Sequence, residues 1–415
     1  MRQLYRWSIR PYYLFLYLAI AFAAGILTER SGRFIQPYHY VPSGVEKTFA
    51  PFWEAWDLVN KRFVNREAVE PTRMTQGAIE GMLASLGDWG HTRYVPPNDI
   101  KGLEERLEGR LEGIGAGLGV RNGKPTIENT MPGSPARAAG LKPGDVLLEV
   151  QGKSVATMPL GQIVDLVRGE PDSKVKLRVA REGASEPLEF SIARAHVSVP
   201  DASWAMLPGL PIAHIAVHSF GFSAEVQLKK ALADARKAGA KGLVIDVRRN
   251  PGGIKDQAVA VASEFLKDGN VVIELDAQGN RKTIPVTEGG SATDLPLAVL
   301  VDEGSASAAE IFAGAIQDHR RGKLVGKKTN GQGTVLEPFS LSDGSALLLA
   351  VAEWLTPEGR EIWHKGISPD IEVTLPTGAI IVRPDAGKRL DAAGLKKSDD
   401  TQLLKAIDIL KSQIQ

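Results

Sequence analysis

The stretch Leu297-Ala-Val-Leu-Val-Asp-Glu-Gly-Ser-Ala-Ser-Ala-Ala-Glu-Ile-Phe312 decides how this chain is read. Its first five residues are apolar and predict a strand. A turn of small residues follows, and the run from Ala308 predicts a helix over 308–318. Ser305 and Ser307 both stand on the turn. Such a turn lifts a hydroxyl out of the chain and aims a helix N-terminus at it, with free N–H groups and a field that favours negative charge. A serine at a helix start also caps helices, so a structural role is the competing reading.

Outward from this stretch, strand-like runs (Ile212–His218, Gly242–Val247, Val271–Leu275, Ala346–Ala352) alternate with helix-like runs (Ala224–Ala238, Gln257–Leu266). Alternation of this kind predicts an α/β sheet covered by helices over residues 195–375. The tail 376–415 carries an amphipathic helix over 399–410, with no chemistry visible in it. Residues 46–112 read as helical. Phe52, Ala55, Trp56 and Val59 recur at helical spacing, as do Ile79, Met82, Leu83 and Leu86, and these stripes are expected to be core.

Residues 113–194 form a β-rich unit of a different texture. It opens with Gly113-Ile-Gly-Ala-Gly-Leu-Gly119 and continues through Pro132-Gly-Ser-Pro-Ala-Arg-Ala-Ala-Gly140 and Gly144-Asp-Val-Leu-Leu-Glu-Val150. This resembles a PDZ domain over nearly its full length. The resemblance implies that the loop Gly113, Ile114, Gly115 and Ala116 offers backbone N–H groups to the C-terminal carboxylate of a peptide, which adds as a strand. A phosphate loop is the weaker reading, since no Gly-Lys-Ser/Thr follows.

The N-terminus speaks to compartment. Arg2, Arg6 and Arg10 precede an apolar run from Pro11 to Leu27. A positive flank before an apolar stretch keeps the N-terminus in the cytoplasm and sends the rest across. Residues 1–30 are therefore expected to be a signal anchor holding the protein to the membrane through 11–27, with 31–45 as linker. A signal peptide cleaved after Ala21-Phe-Ala23, leaving a secreted or periplasmic protein, is the alternative.

Four more segments complete a larger resemblance: Asp246-Val-Arg-Arg-Asn-Pro-Gly-Gly-Ile254, Gly326-Lys-Lys-Thr-Asn-Gly-Gln-Gly333, Thr356-Pro-Glu-Gly-Arg360 and Gly366-Ile-Ser-Pro-Asp370. Their order resembles the carboxyl-terminal processing peptidases, or tail-specific serine proteases, over roughly residues 46–410. The resemblance implies an α/β (α+β) multidomain protein, membrane-anchored, with a PDZ-like domain inserted before a serine-peptidase core. It places the nucleophile on Ser307 and the oxyanion donors at Gly252, Gly253 and Ala308. It implies polypeptide substrates with free C-termini and no cofactor.

One position departs. The family's base is a lysine whose neutral amine takes the serine proton. Here Gln332 stands at that position, and an amide cannot act as a base. The family's supporting glutamine falls on Leu336. Four side chains are open as substitutes: Lys327 and Lys328, His91 by analogy with tricorn-type proteases, and His364. A catalytically impaired protein that binds tails as an adaptor or regulator is the alternative function.

Composition narrows the rest. The chain has 415 residues, a net charge of +1 and no cysteine. A balanced charge argues against bulk nucleic-acid binding. The missing thiols exclude disulfides, thiolate catalysis and cysteine metal sites. His214 and His218 are four apart, yet their segment alternates as a strand, so a sheet-face pair is expected rather than a metal site.

Overall fold

The computed structural model describes residues 44–414, apart from 89–90, 98, 101, 103–109, 122, 132, 199 and 389. The expected anchor, residues 11–27, lies outside the described residues. Among the described residues, no helix is long and apolar enough to cross a membrane.

The chain divides into two units. The first comprises the described residues up to Gly87 with 340–345. It holds helices α1 (Glu46–Arg62) and α2 (Pro71–Ala84). Pro71 starts α2, and the Glu70 carboxylate caps it by accepting the N–H groups of Thr72 and Arg73. The helical spacing is real, but the expectation that both stripes are core fails. Of the eight residues named, Leu83 alone is buried, while Met82 and Leu86 are more than half exposed. Two helices and a hairpin tip have too little surface to enclose them.

The second unit spans Asp88–Phe339 and the chain from Ala346 onward. It begins with strand β1 (Arg93–Val95), so the helical reading of 46–112 overran its end. Tyr94 and Val95 are buried where β1 pairs antiparallel with a much later strand, a partner that local periodicity does not reveal. Strand β2 (Arg110–Gly113) leads into a five-stranded sheet in the order β3 (Ala116–Arg121), β4 (Lys124–Thr130), β5 (Val146–Val150), β7 (Lys174–Ala180), β8 (Leu188–Ala193), with the short β6 (Lys153–Ser154) on β5. Helices α3 (Pro135–Ala138) and α4 (Leu160–Val167) close a separate core around Ile127, Leu147, Ile163, Val175 and Ile192. Strand β9 (Ala195–Ser198) returns beside β2.

The remainder is layered. A six-stranded sheet runs β10 (Ala202–Met206), β11 (Ile212–Val217), β12 (Gly242–Asp246), β15 (Leu297–Val301), β16 (Lys323–Gly326), β19 (Ile371–Glu372), parallel from β11 onward. Helices α5 (Ala224–Lys237), α6 (Lys255–Ser263) and α7 (Ala308–Asp318) pack on one face through Ile215, Leu243, Ile245, Leu297 and Val299. Alternate residues, Val244, Ala298 and Leu300, face the other side. This period-two split is what a doubly covered parallel strand requires. A second sheet of β13 (Asn270–Asp276), β14 (Arg281–Pro285), β17 (Thr334–Ser340) and β18 (Ala346–Leu355) contributes Val271, Val272 and Trp354 to the same core as α7. Helix α7 is therefore sandwiched, and Ala308 to Ile316 are all buried. Its apolar character on every side follows from that position.

The C-terminal region covers the sheet's far face. Helices α8 (Pro384–Gly387) and α9 (Ala392–Lys396) precede α10 (Thr401–Ile414), whose Leu403, Ala406, Ile407 and Leu410 lie on Val244, Ala298 and Leu300. Arg248 fastens this layer. It is fully buried and donates to Asp246 through Nε (2.9 Å) and Nη2 (2.8 Å), and to Asp400 through Nη1 (2.7 Å) and Nη2 (3.0 Å). Burial pushes the Asp246 carboxyl up, but Arg248 and Arg383 outweigh it and hold the group well below the usual range. His214 and His218 each meet protein groups: His214 Nε2 lies 3.2 Å from Asp246 Oδ2, and His218 Nε2 lies 2.8 Å from Ser203 Oγ.

Replacing Arg248 by Met leaves two buried carboxylates facing each other, and the expected loss is about 3–5 kcal/mol in denaturant unfolding. A loss under 1 kcal/mol would mean that Arg248 does not clamp this layer. A second expectation concerns pH. Burial lowers the His218 imidazole to about 4. The unfolded chain takes up that proton near 6.5, so between those values the unfolded state binds more protons. Stability should be full above pH 6.5 and fall as pH drops toward 4. His218→Asn should flatten this fall.

Candidate active site

Ser307 follows β15 and starts α7, and its backbone is strained. Its φ of 55° and ψ of −117° match the first central position of a type II′ turn, which glycine normally fills. A non-glycine residue there costs on the order of 1–3 kcal/mol and persists only when its surroundings hold it. Three sets of bonds do so. The Ser307 N–H donates to Glu310 Oε2 at 2.9 Å. The Ala306 N–H donates to the Asn250 carbonyl at 2.9 Å. The Asp302 carboxylate accepts the N–H groups of Arg249 (2.7 Å) and Gly304 (3.0 Å). Ser305 takes no part in a nucleophilic site. It is fully buried, and its hydroxyl donates to the Val247 carbonyl at 2.8 Å and accepts the Asp302 N–H.

The glycine turn lies directly against Ser307. A methyl group on Gly252 would come within 2.7 Å of Ser307 Cβ and 2.8 Å of the Ala306 oxygen, at a φ of +99°. No other residue fits there. Among the expected donors the geometry discriminates. The Gly252 N–H is committed to Asn250 Oδ1 at 2.8 Å. The N–H groups of Gly253 and Ala308 have no acceptor among the described residues. Gly253 is exposed, and Ala308 is the first residue of α7. This pair can receive an oxyanion formed on Ser307 attack.

Glu310 joins the serine turn to the segment carrying residue 332. Its buried carboxylate accepts four donors: the N–H groups of Ser307 (2.9 Å), Gly331 (2.7 Å) and Gln332 (2.9 Å) and the Thr329 hydroxyl (2.5 Å). Burial pushes its carboxyl up, and the four donors oppose that shift. Ser307 and Gln332 donate to the same oxygen, so position 332 lies at the nucleophile. The residue there is a partly buried glutamine. Glu310 was missed by sequence reading, although a lone acid inside Ala-Ala-Glu-Ile-Phe-Ala is a signal for a satisfied buried charge.

The expected substitutes for the base each have partners or surroundings of their own. Lys327 pairs with Glu372 at 2.8 Å, and Lys328 is exposed. His91 is buried with Nδ1 at 2.5 Å from Thr334 Oγ1, and burial lowers its imidazole. No hydrogen bond joins it to Ser307 among the described residues. His364 is exposed, with its ring stacked on Trp363. Leu336 sits partly buried on β17, beyond the Glu310 bonds.

In the β-rich unit, the loop before β3 has the form of an anion nest. The N–H groups of Ile114 and Gly115 have no acceptor among the described residues, and the neighbouring carbonyls are tied down by Ala136 and Met131. Gly115 has a φ of +70°, and a methyl on it would strike Ser134. Gly113 lies at the end of β2 and Ala116 begins β3. Strand β3 is the edge of its sheet, with α4 packed against it. An edge strand beside a free amide loop can accept an added strand that ends in a carboxylate. Among the described residues no cluster of metal-ligating side chains occurs.

The model for peptidase family S41 matches residues 211–373, and a PDZ domain model matches 126–181. The carboxy-terminal processing protease CtpA of Bacillus subtilis strain 168 is 34% identical over 338 residues, 80% of this chain and 72% of that protein. The probable CtpA-like serine protease of Staphylococcus haemolyticus is 35% identical over 306 residues, 73% of this chain. The chain spans 61% of the length of that relative. Among solved structures, the photosystem II D1 C-terminal processing protease superposes with a TM-score of 0.51 at 31% identity, over 79% of this chain and 94% of that one. An S41 protease structure from Bacteroides fragilis gives 0.56 at 16% identity, over 86% and 96%, which speaks to fold alone.

Gly252→Ala tests the assembled turn. The added methyl must push Ser307 or the Gly252 peptide aside, so labelling of Ser307 by a fluorophosphonate is expected to fall about 100-fold or more. Unchanged labelling would mean that the two turns are not mechanically joined.

Proposed function

Because the chain belongs to peptidase family S41, in its carboxy-terminal processing branch, we propose that it is a serine endopeptidase acting on unstructured polypeptide tails. The observation that carries this is the strained Ser307 turn, set beside two backbone N–H groups that have no acceptor. A tail enters by adding to β3, and its terminal carboxylate rests on the amides of Ile114 and Gly115. The chain upstream of the terminus then crosses Ser307. Arg249, next to the glycine turn, reaches Glu128 of β4 at 2.9 Å and links the tail-binding sheet to the cleaving turn.

The chemistry runs as follows. Ser307 Oγ attacks the scissile carbonyl carbon, and the carbonyl oxygen takes the electron pair. The N–H groups of Gly253 and Ala308 receive that charge. The tetrahedral species collapses, the nitrogen leaves as an amine carrying the proton that the Ser307 hydroxyl gave up, and water then hydrolyses the acyl-enzyme, its oxygen going to the acyl carbon and one of its protons back to Ser307 Oγ. Because a general base contributes on the order of 100- to 10,000-fold, position 332 matters to the rate. A glutamine there leaves the proton acceptor to be found among other groups. The same residue supports a second reading, a protein that binds tails without cutting them.

The protein is read as working outside the cytoplasm, tethered by residues 11–27. The basis is the arginine-flanked apolar run at the N-terminus.

Incubation of purified protein with a fluorophosphonate and with an unstructured peptide ending in apolar residues tests the proposal. Wild type should be labelled and should cleave, and Ser307→Ala should do neither. Equal behaviour of the two proteins would overturn Ser307 as nucleophile. Tight peptide binding without cleavage in either would support the second reading.

A further inference from the structure

The segment His218-Ser-Phe-Gly-Phe-Ser223 joins β11 to α5 and runs beside the glycine turn. The Phe220 N–H donates to the Gly252 carbonyl at 2.9 Å, and the Ile254 N–H donates to the Phe220 carbonyl at 2.7 Å. Phe220 thus brackets both glycines with its own backbone. The approach is close, since a methyl on Gly253 would come within 2.4 Å of the Phe220 oxygen.

These bonds set a direction as well as a position. The Gly252 carbonyl and the Gly253 N–H belong to one peptide group. A trans peptide is planar, and its C=O and N–H point in opposite directions. Because Phe220 holds the carbonyl, the Gly253 N–H points away from Phe220. That N–H has no acceptor among the described residues and is one of the two donors assigned to the oxyanion. The turn's own chain does not dictate this orientation, because glycine has a wide choice of φ, and these two stand at 99° and 143°. Asn250 fixes the Gly252 N–H, and Phe220 orients the peptide that follows it.

Phe220 is itself held in two ways. Its ring is fully buried and packs on Phe312 of α7, with centroids 6.3 Å apart. Its backbone is held through Asp201, a buried residue between β9 and β10. The Asp201 carbonyl accepts the His218 N–H at 2.7 Å. Its Oδ1 accepts the Ser219 hydroxyl and the Gly221 N–H (3.2 Å), and its Oδ2 accepts the Ser223 N–H (3.1 Å). Donors on both sides of Phe220 therefore end on one residue. Helix capping does not account for them, because all four precede Ala224, the first residue of α5. A buried carboxylate is tolerated when hydrogen bonds replace its water, and here the 218–223 segment supplies them.

We propose that Asp201 is a positioning residue for the oxyanion site: it grips the 218–223 segment, keeps the Phe220 N–H on the Gly252 carbonyl, and so keeps the Gly253 N–H free for the oxyanion. The proposal rests on the peptidase reading given above. Asp201 is bonded to neither Ser307 nor the glycine turn, and it acts through Phe220. Without its grip the 252–253 peptide is free to rotate. Rotation withdraws the N–H and brings forward a carbonyl oxygen, which repels a developing negative charge. Tail binding at β3 uses a different core and different amides, so it does not depend on this chain of contacts. An interaction made only in the transition state is lost from kcat and leaves KM in place.

Full-length Asp201→Ala and Asp201→Asn test this, with kcat and KM on an unstructured apolar-ended peptide, the rate of fluorophosphonate labelling at Ser307, and the folded fraction by circular dichroism. In folded Asp201→Ala, kcat and the labelling rate should fall together by about 100-fold while KM stays within about 2-fold. Asp201→Asn retains one acceptor oxygen and should lose less. Wild-type labelling in folded Asp201→Ala would overturn the proposal. So would a loss that merely follows the folded fraction, which would leave Asp201 a structural role. If Asp201→Ala does not fold, Ser219→Ala carries the test, because it keeps the carboxylate and its backbone donors. Labelling about 3-fold slower is then expected, and an unchanged rate overturns the proposal. Should wild type resist labelling, the same variants are compared in a Gln332→Lys background. Labelling of the parent that Asp201→Ala leaves intact removes Asp201 and lets the Ser307 peptidase reading stand. No labelling of wild type or of Gln332→Lys removes the peptidase reading, and the role of Asp201 falls with it.

Discussion

The Glu310 carboxylate is the constraint on which the site depends. It is buried inside an apolar helix, where an uncompensated charge would be expensive, and it is satisfied by four donors from two separate segments. Three of those donors are backbone or hydroxyl groups of Thr329, Gly331 and Gln332, and the fourth is the N–H of Ser307. The carboxylate thereby holds Ser307 in a backbone conformation that it would otherwise leave. It also fixes the distance between the serine and residue 332. A group that must be desolvated to keep a helix apolar ends up setting the geometry of a reaction centre.

The layered core explains why the helix can carry that load. Helix α7 is enclosed between a parallel sheet and a second, antiparallel sheet, so packing holds its N-terminus in place. Parallel packing of α6 beside it puts the two helix starts together. Backbone amides from both then converge on one space, which favours negative charge there. The far face of the sheet is closed by the C-terminal helix, which the buried Arg248 clamps through Asp246 and Asp400. The strand carrying Asp246 leads straight into the glycine turn, so the clamp anchors the ground from which that turn rises.

Much of this was legible in the residues. The strand Leu297–Val301 and the helix Ala308–Asp318 have the expected bounds, because a turn of small residues between a β run and a helical run leaves little freedom. The N-terminal helical stripes were legible as helices but not as surface, since periodicity reports which face is apolar and not whether anything covers it. His91 was a candidate base by chain position, and it is occupied by Thr334, 243 residues away. Gly252 and Gly253 looked equivalent in sequence. The Asn250 side chain distinguishes them by taking the N–H of Gly252 and leaving that of Gly253.

The amino-acid sequence by itself determined the alternation of elements, the order of the motifs, the candidate nucleophile and the departure at Gln332. Each of these is a local or ordinal property, readable from spacing, turn chemistry and residue type. Only the tertiary structure decided which groups surround Ser307. Sheet order sets those neighbours: β11 lies beside β12 and so brings Phe220 to Gly252, and β18 brings Trp354 to Gly333. Pairings across such separations depend on how layers stack to bury apolar surface, and no local pattern in the chain encodes them.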